Sequence, residues 1–336
     1  MFNFIISPIA NLLGMFMNII FNLVHSIIPI GSLGLSIILF TIFVRFLLLP
    51  LMLNQQKSMQ RMQEIQPQIQ KIQDKYKNKK DPEAQQKMSR EMSELYQKNK
   101  VNPLGGCLPL LIQMPIMLAL FQVLRSPAVH IQQVGAIYTQ VAEKLMSISG
   151  YEAILETFAQ GKAGVKLDAS LTSSVVTLLS QFHSYDWTQL VEQLNGVAAG
   201  TLTQIQVLVT QLKDMNFFLG MNLTDAPGMT FPGILLPIIA GLTTYLTSKL
   251  TPNPNKDKDK SKNNSKDKPV DQMGQTQNTM MLMFPFLTAF MTYTLPAGLG
   301  LYWVTSNIFQ VFQQLAFNKK SGSKMDWDSN KKVKNE

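Results

Sequence analysis

Five long stretches of this chain hold a single charged residue between them. They are residues 31–53, 104–124, 231–248, 279–296 and 299–317, and the exception is Arg45. A bilayer core about 30 Å thick takes roughly 17–25 apolar residues of helix, and each stretch meets that length. The 336-residue chain is 46% hydrophobic and only 15% charged, whereas soluble domains carry about 25% charged residues. A deficit gathered into a few blocks excludes an ordinary cytosolic protein and a disordered chain. One cysteine, Cys107, leaves no internal disulfide and no multi-cysteine metal site. The three histidines, His25, His130 and His183, are too scattered for a metal cluster. No metal or other cofactor is expected. Glycine and proline are frequent in the apolar stretches, as in membrane helices generally. Pro109, Pro115 and Pro285 predict kinks.

The net charge is +9, and its distribution carries the information. Twenty-four of the thirty Lys and Arg lie in 54–103, 249–278 and the tail 318–336. The long segment 127–230 holds four, against eight acids. Cytoplasmic loops of membrane proteins carry the Lys and Arg excess. The three basic pieces are therefore expected in the cytoplasm and 127–230 outside. Five crossings give the same alternation, with the N-terminus outside and the C-terminus in the cytoplasm. Residues 4–28 differ from the five stretches. On a helical wheel Ser7, Asn11, Gly14, Asn18, Asn22 and His25 fall within roughly ±60° of one direction. This reads as an amphipathic helix lying in the membrane interface. The alternative is a sixth spanning helix with its polar stripe turned inward. No Lys or Arg precedes Arg45, so a signal peptide is not expected.

Segment 54–103 reads as a helical hairpin. Met59, Met62, Ile65, Ile69, Ile72 and Tyr76 step by three or four residues, as do Met88, Met92, Leu95 and Tyr96. Asp81 and Pro82 suit the N-cap and first position of the second arm, and Pro67 should bend the first. The two stripes can simply pair with each other. Alternatively Met59, Met62, Met88 and Met92 also meet apolar client segments, because Met adapts to irregular partners. The Lys–Asp run 252–272 is expected to be disordered. The tail beyond Asn318 is expected to resemble it. Its Lys319, Lys320, Lys324, Lys331, Lys332 and Lys334 suit RNA phosphates or anionic lipid, or serve only topology. Segment 127–230 shows helical spacing in 133–147, 174–182 and 200–212, which predicts a small helical external domain. His183, Ser184 and Asp186 are neighbours in sequence, which is poor ground for a catalytic triad.

The order TIFVRFLLLPLML (41–53), basic hairpin, NPLGGCLPLLIQMPIMLALFQVL (102–124), LPIIAGLTTYLTSK (236–249), MMLMFPFLTAFMTYTLPAGLGLYWVTSNIF (280–309) and basic tail resembles the YidC/Oxa/Alb family of membrane protein insertases. The resemblance covers about 31–125 and 216–318 and points to a Gram-positive-type bacterial member. It implies an all-α protein of the bacterial cell membrane, with five transmembrane helices around a hydrophilic groove open to cytoplasm and lipid. The domain order implied is an interfacial helix to residue 30, the first span at 31–53, the hairpin at 54–103 and the second span at 104–126. Then follow the external insertion at 127–230, the third span at 231–248, a cytoplasmic loop at 249–278, two further spans at 279–318 and the tail from 319. The family's groove arginine carries over onto Arg45, and Gln113 and Trp303 match positions lining or bordering the groove. Thr243, Thr244, Thr305 and Asn307 join them on polarity alone. The chain departs from the family in lacking the usual lipoprotein signal and in the length of the external insertion.

The implied function is insertion and folding of nascent membrane protein clients, alone or with the Sec translocon, with the ribosome docking on the basic tail. The competing class is a secondary transporter or channel. Ion-coupled transporters place Asp, Glu or His near the midplane, and none of the five stretches contains one. No nucleophile–base pair or phosphate loop appears either, so no enzymatic activity is expected. Arg45 lies eight residues, roughly 12 Å of helix, before Leu53. That is too far for comfortable snorkelling, and an arginine left in lipid costs about 2.5–3.5 kcal/mol on insertion scales. A wet, polar surrounding removes most of that cost.

Overall fold

The structure is a computed structural model. It describes the backbone of residues 2–76, 79, 81–101, 108–125, 127–160, 162, 166–194, 196–250 and 272–333. Its described residues form thirteen helices and one two-residue hairpin. The helices are α1 (Phe2–Ile27), α2 (Ser32–Tyr76), α3 (Pro82–Lys98), α4 (Leu108–Arg125), α5 (Pro127–His130), α6 (Gln132–Met146) and α7 (Tyr151–Ala159). They continue with α8 (Thr172–Leu179), α9 (Ser184–Gln193), α10 (Ala199–Asn216), α11 (Leu235–Leu250), α12 (Gln272–Thr294) and α13 (Ala297–Val333). Strands β1 (Phe217–Phe218) and β2 (Met221–Asn222) pair antiparallel between α10 and α11.

The chain divides into two compact units. The first comprises Met1–Val44, Met114–Gly241 and Leu287–Ser306, and the second Arg45–Gln113, Leu242–Phe286 and Asn307–Glu336. Each apolar stretch contributes one end to each unit. Segment 127–230 falls in the first, and the hairpin and tail in the second. Among the described residues one helical stretch, Ser32–Met62, is long and apolar enough to cross a membrane. Asn11–Ile27, Gln113–Val123 and Leu235–Leu250 are shorter apolar helices.

In the second unit α2 continues through Pro50 and Pro67 without a break, so the first apolar stretch and the first hairpin arm are one 45-residue helix. The turn follows the sequence reading. Asp81 caps α3 by accepting from the Ala84 N–H at 2.9 Å, with Pro82 opening the helix. Such a cap contributes about 1 kcal/mol. Ile65, Ile69 and Val101 form the hairpin's core, with Met62, Met92, Leu95 and Tyr96 packed on it. Glu91 ties the arms together by accepting from Lys75 Nζ at 2.5 Å and Tyr76 Oη at 2.8 Å. Those two bonds hold its carboxyl below the ordinary carboxylate range. The 252–271 part of the expected disordered loop lies outside the described residues. At Gln272 the chain is already in α12, contrary to that expectation. The tail also departs from expectation, because the α13 backbone runs on to Val333. No proline follows Pro296 to stop it. The side chains of Lys320, Lys324, Lys331 and Lys332, and all of Lys334, lie outside the described residues.

In the first unit segment 127–230 is helical, as expected, with α6–α10 forming its body. Its core joins Tyr138, Phe158, Phe182 and Trp187, with ring centroids 4.9–5.9 Å apart. Each such pair adds about 0.5–1.5 kcal/mol beyond area burial. The expected periodic segments correspond to α6, α8 and α10, while α7 and α9 went unread. At the base of the domain, β1 and β2 turn through Leu219 and Gly220, both left-handed, as a two-residue hairpin turn requires. The Phe218 ring occupies the space where a side chain at Gly34 would stand, so only glycine allows this approach to α2.

The polar stripe of α1 is partly covered by the protein's own chain, with Asn11 left exposed. Asn18 Oδ1 accepts from the Gln132 N–H at 2.8 Å, His25 bonds Ser32 Oγ at 3.1 Å, and Gly14 abuts His130. Leu12, Met15, Ile19, Leu23 and Ile27 face outward, each more than half exposed.

His183, Ser184 and Asp186 form no triad. Asp186 caps α9 through the His183 N–H and pairs with Lys162 at 2.6 Å. Ser184 Oγ donates to Asp225 Oδ2 at 2.5 Å and accepts from Asn222 Nδ2 at 2.8 Å. His183 Nδ1 meets Asp225 Oδ1 at 3.2 Å. The cluster latches α9 to the chain after β2, which in turn meets α13 through Ala297 N–H to Asp225 O. The hydrogen bond to Asp225 raises the His183 pKa, with burial and Lys162 opposing and Asp186 assisting. Burial pushes the Asp225 carboxyl up, but the bonds from His183 and Ser184 outweigh it and hold it below its ordinary value. The His183 contribution is complete below its unfolded pKa, about 6.5, and is lost as pH rises through the raised folded value. The Asp225 contribution is lost only as pH falls through its lowered value. Limited proteolysis of the α6–α10 domain should therefore be slower at about pH 6 than at about pH 8. Asp225→Asn should erase that difference. A difference that survives Asp225→Asn would assign the pH dependence elsewhere.

Candidate functional site

The apolar helices present their side chains in the reverse of a water-soluble arrangement. Exposed positions include Phe43, Phe46 and Leu47 on α2, Leu242 and Tyr245 on α11, Phe286 and Phe290 on α12, and Phe312 on α13. Buried positions include Ser32, Ser36, Thr41 and Arg45 on α2, Thr244 and Thr247 on α11, Thr288 and Thr292 on α12, and Ser306, Asn307 and Gln314 on α13. In water this pattern would expose apolar surface and bury polar groups at once. In hydrocarbon it is the stable one, because a polar group there must be satisfied within the protein. Ser36 and Thr41 meet the requirement by donating to carbonyls one turn back, at 2.6 Å each.

Three of the residues singled out in the sequence meet in the second unit. Asn307 Nδ2 donates to Thr244 Oγ1 at 2.8 Å and to Thr243 Oγ1 at 3.3 Å. Thr247 and Ser248 return their hydroxyls to the carbonyls of Thr243 and Thr244, both at 2.9 Å. Arg45 belongs to the same unit and is only 9% exposed. Gln113, also of this unit, is half-buried. Trp303 and Thr305 belong to the first unit, where Thr305 spends its hydroxyl on the Leu301 carbonyl at 2.8 Å. In the hairpin, Met62 and Met92 are taken up by its own core, while Met59 and Met88 are half-buried outside that cluster.

The sequence reading missed a second polar group in the same unit. Gln56 Nε2 donates to Gln314 Oε1, and Gln314 Nε2 to Asn318 Oδ1, each at 2.8 Å. Asn318 Nδ2 approaches the Leu250 carbonyl at 3.4 Å. Phe46 and Phe309 meet edge to face at 5.1 Å. Amide side chains thereby connect α2, α13 and α11 where the apolar stretches end. The signal was present: Asn307, Gln314 and Asn318 are spaced by seven and four residues, which places them on one helical face.

The family described as the 60Kd inner membrane protein matches residues 23–324. The chain belongs to this family. The bounds of that match lie outside residues 127–230 on both sides. The chain is 32% identical over 287 residues to the "Membrane protein insertase YidC" of Oceanobacillus iheyensis, covering 85% of this chain and 74% of that one. It is 31% identical over 304 residues to the "Membrane protein insertase YidC 1" of Listeria monocytogenes, covering 89% and 68%. With the YidC of Fusobacterium nucleatum it is 29% identical over 318 residues, covering 94% and 98%. These relatives are bacterial, and the family is one of inner membrane proteins.

Proposed function

We propose that the chain is a membrane protein insertase and chaperone of the bacterial cell membrane. The carrying observation is a buried arginine in a unit whose apolar faces point outward and whose amides and hydroxyls point inward. In this reading five helices cross the bilayer, with the N-terminus outside and the hairpin and C-terminus in the cytoplasm. Arg45, Gln113, Thr243, Thr244 and Asn307 border a wet recess open to the cytoplasm. The Arg45 charge draws a client's acidic, translocating segment into the inner leaflet, and the recess shortens the apolar path that remains. The client's own apolar helix then leaves sideways into lipid. Partitioning of that helix supplies the free energy, so no nucleotide or covalent step is required. Met59 and Met88 on the hairpin offer adaptable apolar contacts to the emerging client, and the protein acts alone or with the Sec translocon.

The test is insertion of a single-span client with an acidic tail into liposomes containing the purified protein. Arg45→Lys should retain most activity. Arg45→Ala and Arg45→Glu should lose about tenfold or more, equivalent to about 1.4 kcal/mol. Protein levels in the membrane are measured alongside. Normal insertion by a stable Arg45→Ala protein would remove charge attraction from the mechanism. Equal loss in Lys and Ala would instead assign Arg45 to holding the helices, since Lys keeps the charge but not the guanidinium fork.

Ribosome docking is assigned to the basic tail. Contacts between Lys and RNA phosphates weaken steeply with salt. Truncation after Asn318 should therefore lower ribosome co-sedimentation at low salt, with the difference vanishing at high salt. An unchanged pellet fraction across the salt series would exclude the tail as a docking element.

A further inference from the structure

The stripe of α1 that faces its own chain does not close completely against it. A pocket of about 510 Å³ opens between α1, α5, α6 and α8, entirely within the first unit. Its polar lining consists of Asn11, Asn18, His130, Gln132 and Thr139. Among the described residues no Asp, Glu, Lys or Arg lines it. Two glycines let its walls approach one another: a side chain at Gly14 would come within 3.0 Å of His130 Nδ1, and one at Gly135 would collide with the Ala128 carbonyl.

The lining groups supply both donors and acceptors. Asn18 uses its Oδ1 on the Gln132 N–H, leaving its NH₂ to donate. Thr139 donates to the Gly135 carbonyl at 2.9 Å, leaving its oxygen to accept. Burial lowers the His130 pKa, so its ring is neutral at neutral pH and carries one donor and one acceptor. A phosphate or carboxylate calls for a cation, which the lining lacks. An apolar ligand would strand these groups without partners. What fits is a neutral group rich in hydroxyls. The rim is apolar: Met15 and Val129 line the mouth and are 57% and 71% exposed, and Leu12 and Ile19 continue the surface along α1. A polar pocket with such a rim suits an amphiphile, its head inside and its chains along the helix.

We infer that this pocket holds the hydroxyl-rich, uncharged head group of a glycosylated diacylglycerol in the outer leaflet. The inference rests on the reading under which α1 and the external domain meet lipid on the outer side.

The test uses the full chain in nanodiscs of phosphatidylglycerol doped with glucosyl-diacylglycerol, extracted gently and weighed intact with its retained lipids. The glycolipid should be retained several-fold above its fraction in the disc. Asn11→Leu should bring it down toward that fraction, and Asn11→Leu with His130→Phe should abolish the enrichment. The Asn11 side chain is exposed and makes no hydrogen bond among the described residues, so the single variant leaves packing intact. Retention at the bulk fraction by the native chain, or undiminished enrichment in both variants, would overturn the proposal. Displacement by free methyl glucoside as effective as by glycolipid would also overturn it, reassigning the pocket to a soluble sugar. A nitroxide on Leu23→Cys, with Cys107→Ser, separates this from the underlying reading. Accessibility to oxygen above that to a nickel chelate places α1 in lipid; the reverse would sink that placement itself, whatever the glycolipid result.

Discussion

A polar side chain held among apolar helices must find its partners inside the protein or meet water that the protein admits. That constraint organises both units. Short hydroxyls are satisfied locally, as Ser36 and Thr41 return to their own helix. Longer amides are satisfied between helices: Asn307 reaches Thr243 and Thr244 on α11, and Gln56 reaches Gln314 on α13. With polar groups committed inward, the outward faces are left to Phe, Leu and Ile, and lipid is the solvent that accepts them. Arg45 is the most demanding member of this set, since its guanidinium has five donors and cannot deprotonate.

The apolar helices were legible in the sequence because hydropathy sums over some twenty residues, so errors at single positions cancel. The hairpin was legible for another reason. Asp81 and Pro82 act through local backbone geometry that no distant contact overrides. The cluster of Thr243, Thr244 and Asn307 was chosen on polarity, and the structure joins those three residues directly. What failed had a tertiary cause. Helix α9 carries its apolar residues, Trp187 and Leu190, over too few turns to mark a period, and it is fixed by Asp225 some forty residues away. The α1 stripe reads as a water-facing surface until its neighbours are known. Asn18 and Gly14 face α5 and α6, more than a hundred residues later.

The helical domain of 127–230 is more closely tied to the apolar helices than its sequence suggested. Gly31 N–H donates to the Asp214 carbonyl at 2.8 Å, Phe218 seats on Gly34, and Asp225 joins α9 to the first turn of α13. Glycine is required at position 34 by this approach rather than by backbone conformation. Those ties run into α2 and α13.

The central claim is that the inward polar faces of the second unit meet water from the cytoplasm while its outward faces meet lipid. Single cysteines in a Cys107→Ser background test it most directly, labelled in inverted membrane vesicles with a membrane-impermeant thiol reagent. The account predicts fast labelling of Thr244→Cys and Asn307→Cys, and little or none of Leu47→Cys or Phe312→Cys on the same helices or their neighbours. Equal protection of all four positions would mean a dry interior around Arg45 and would contradict the account.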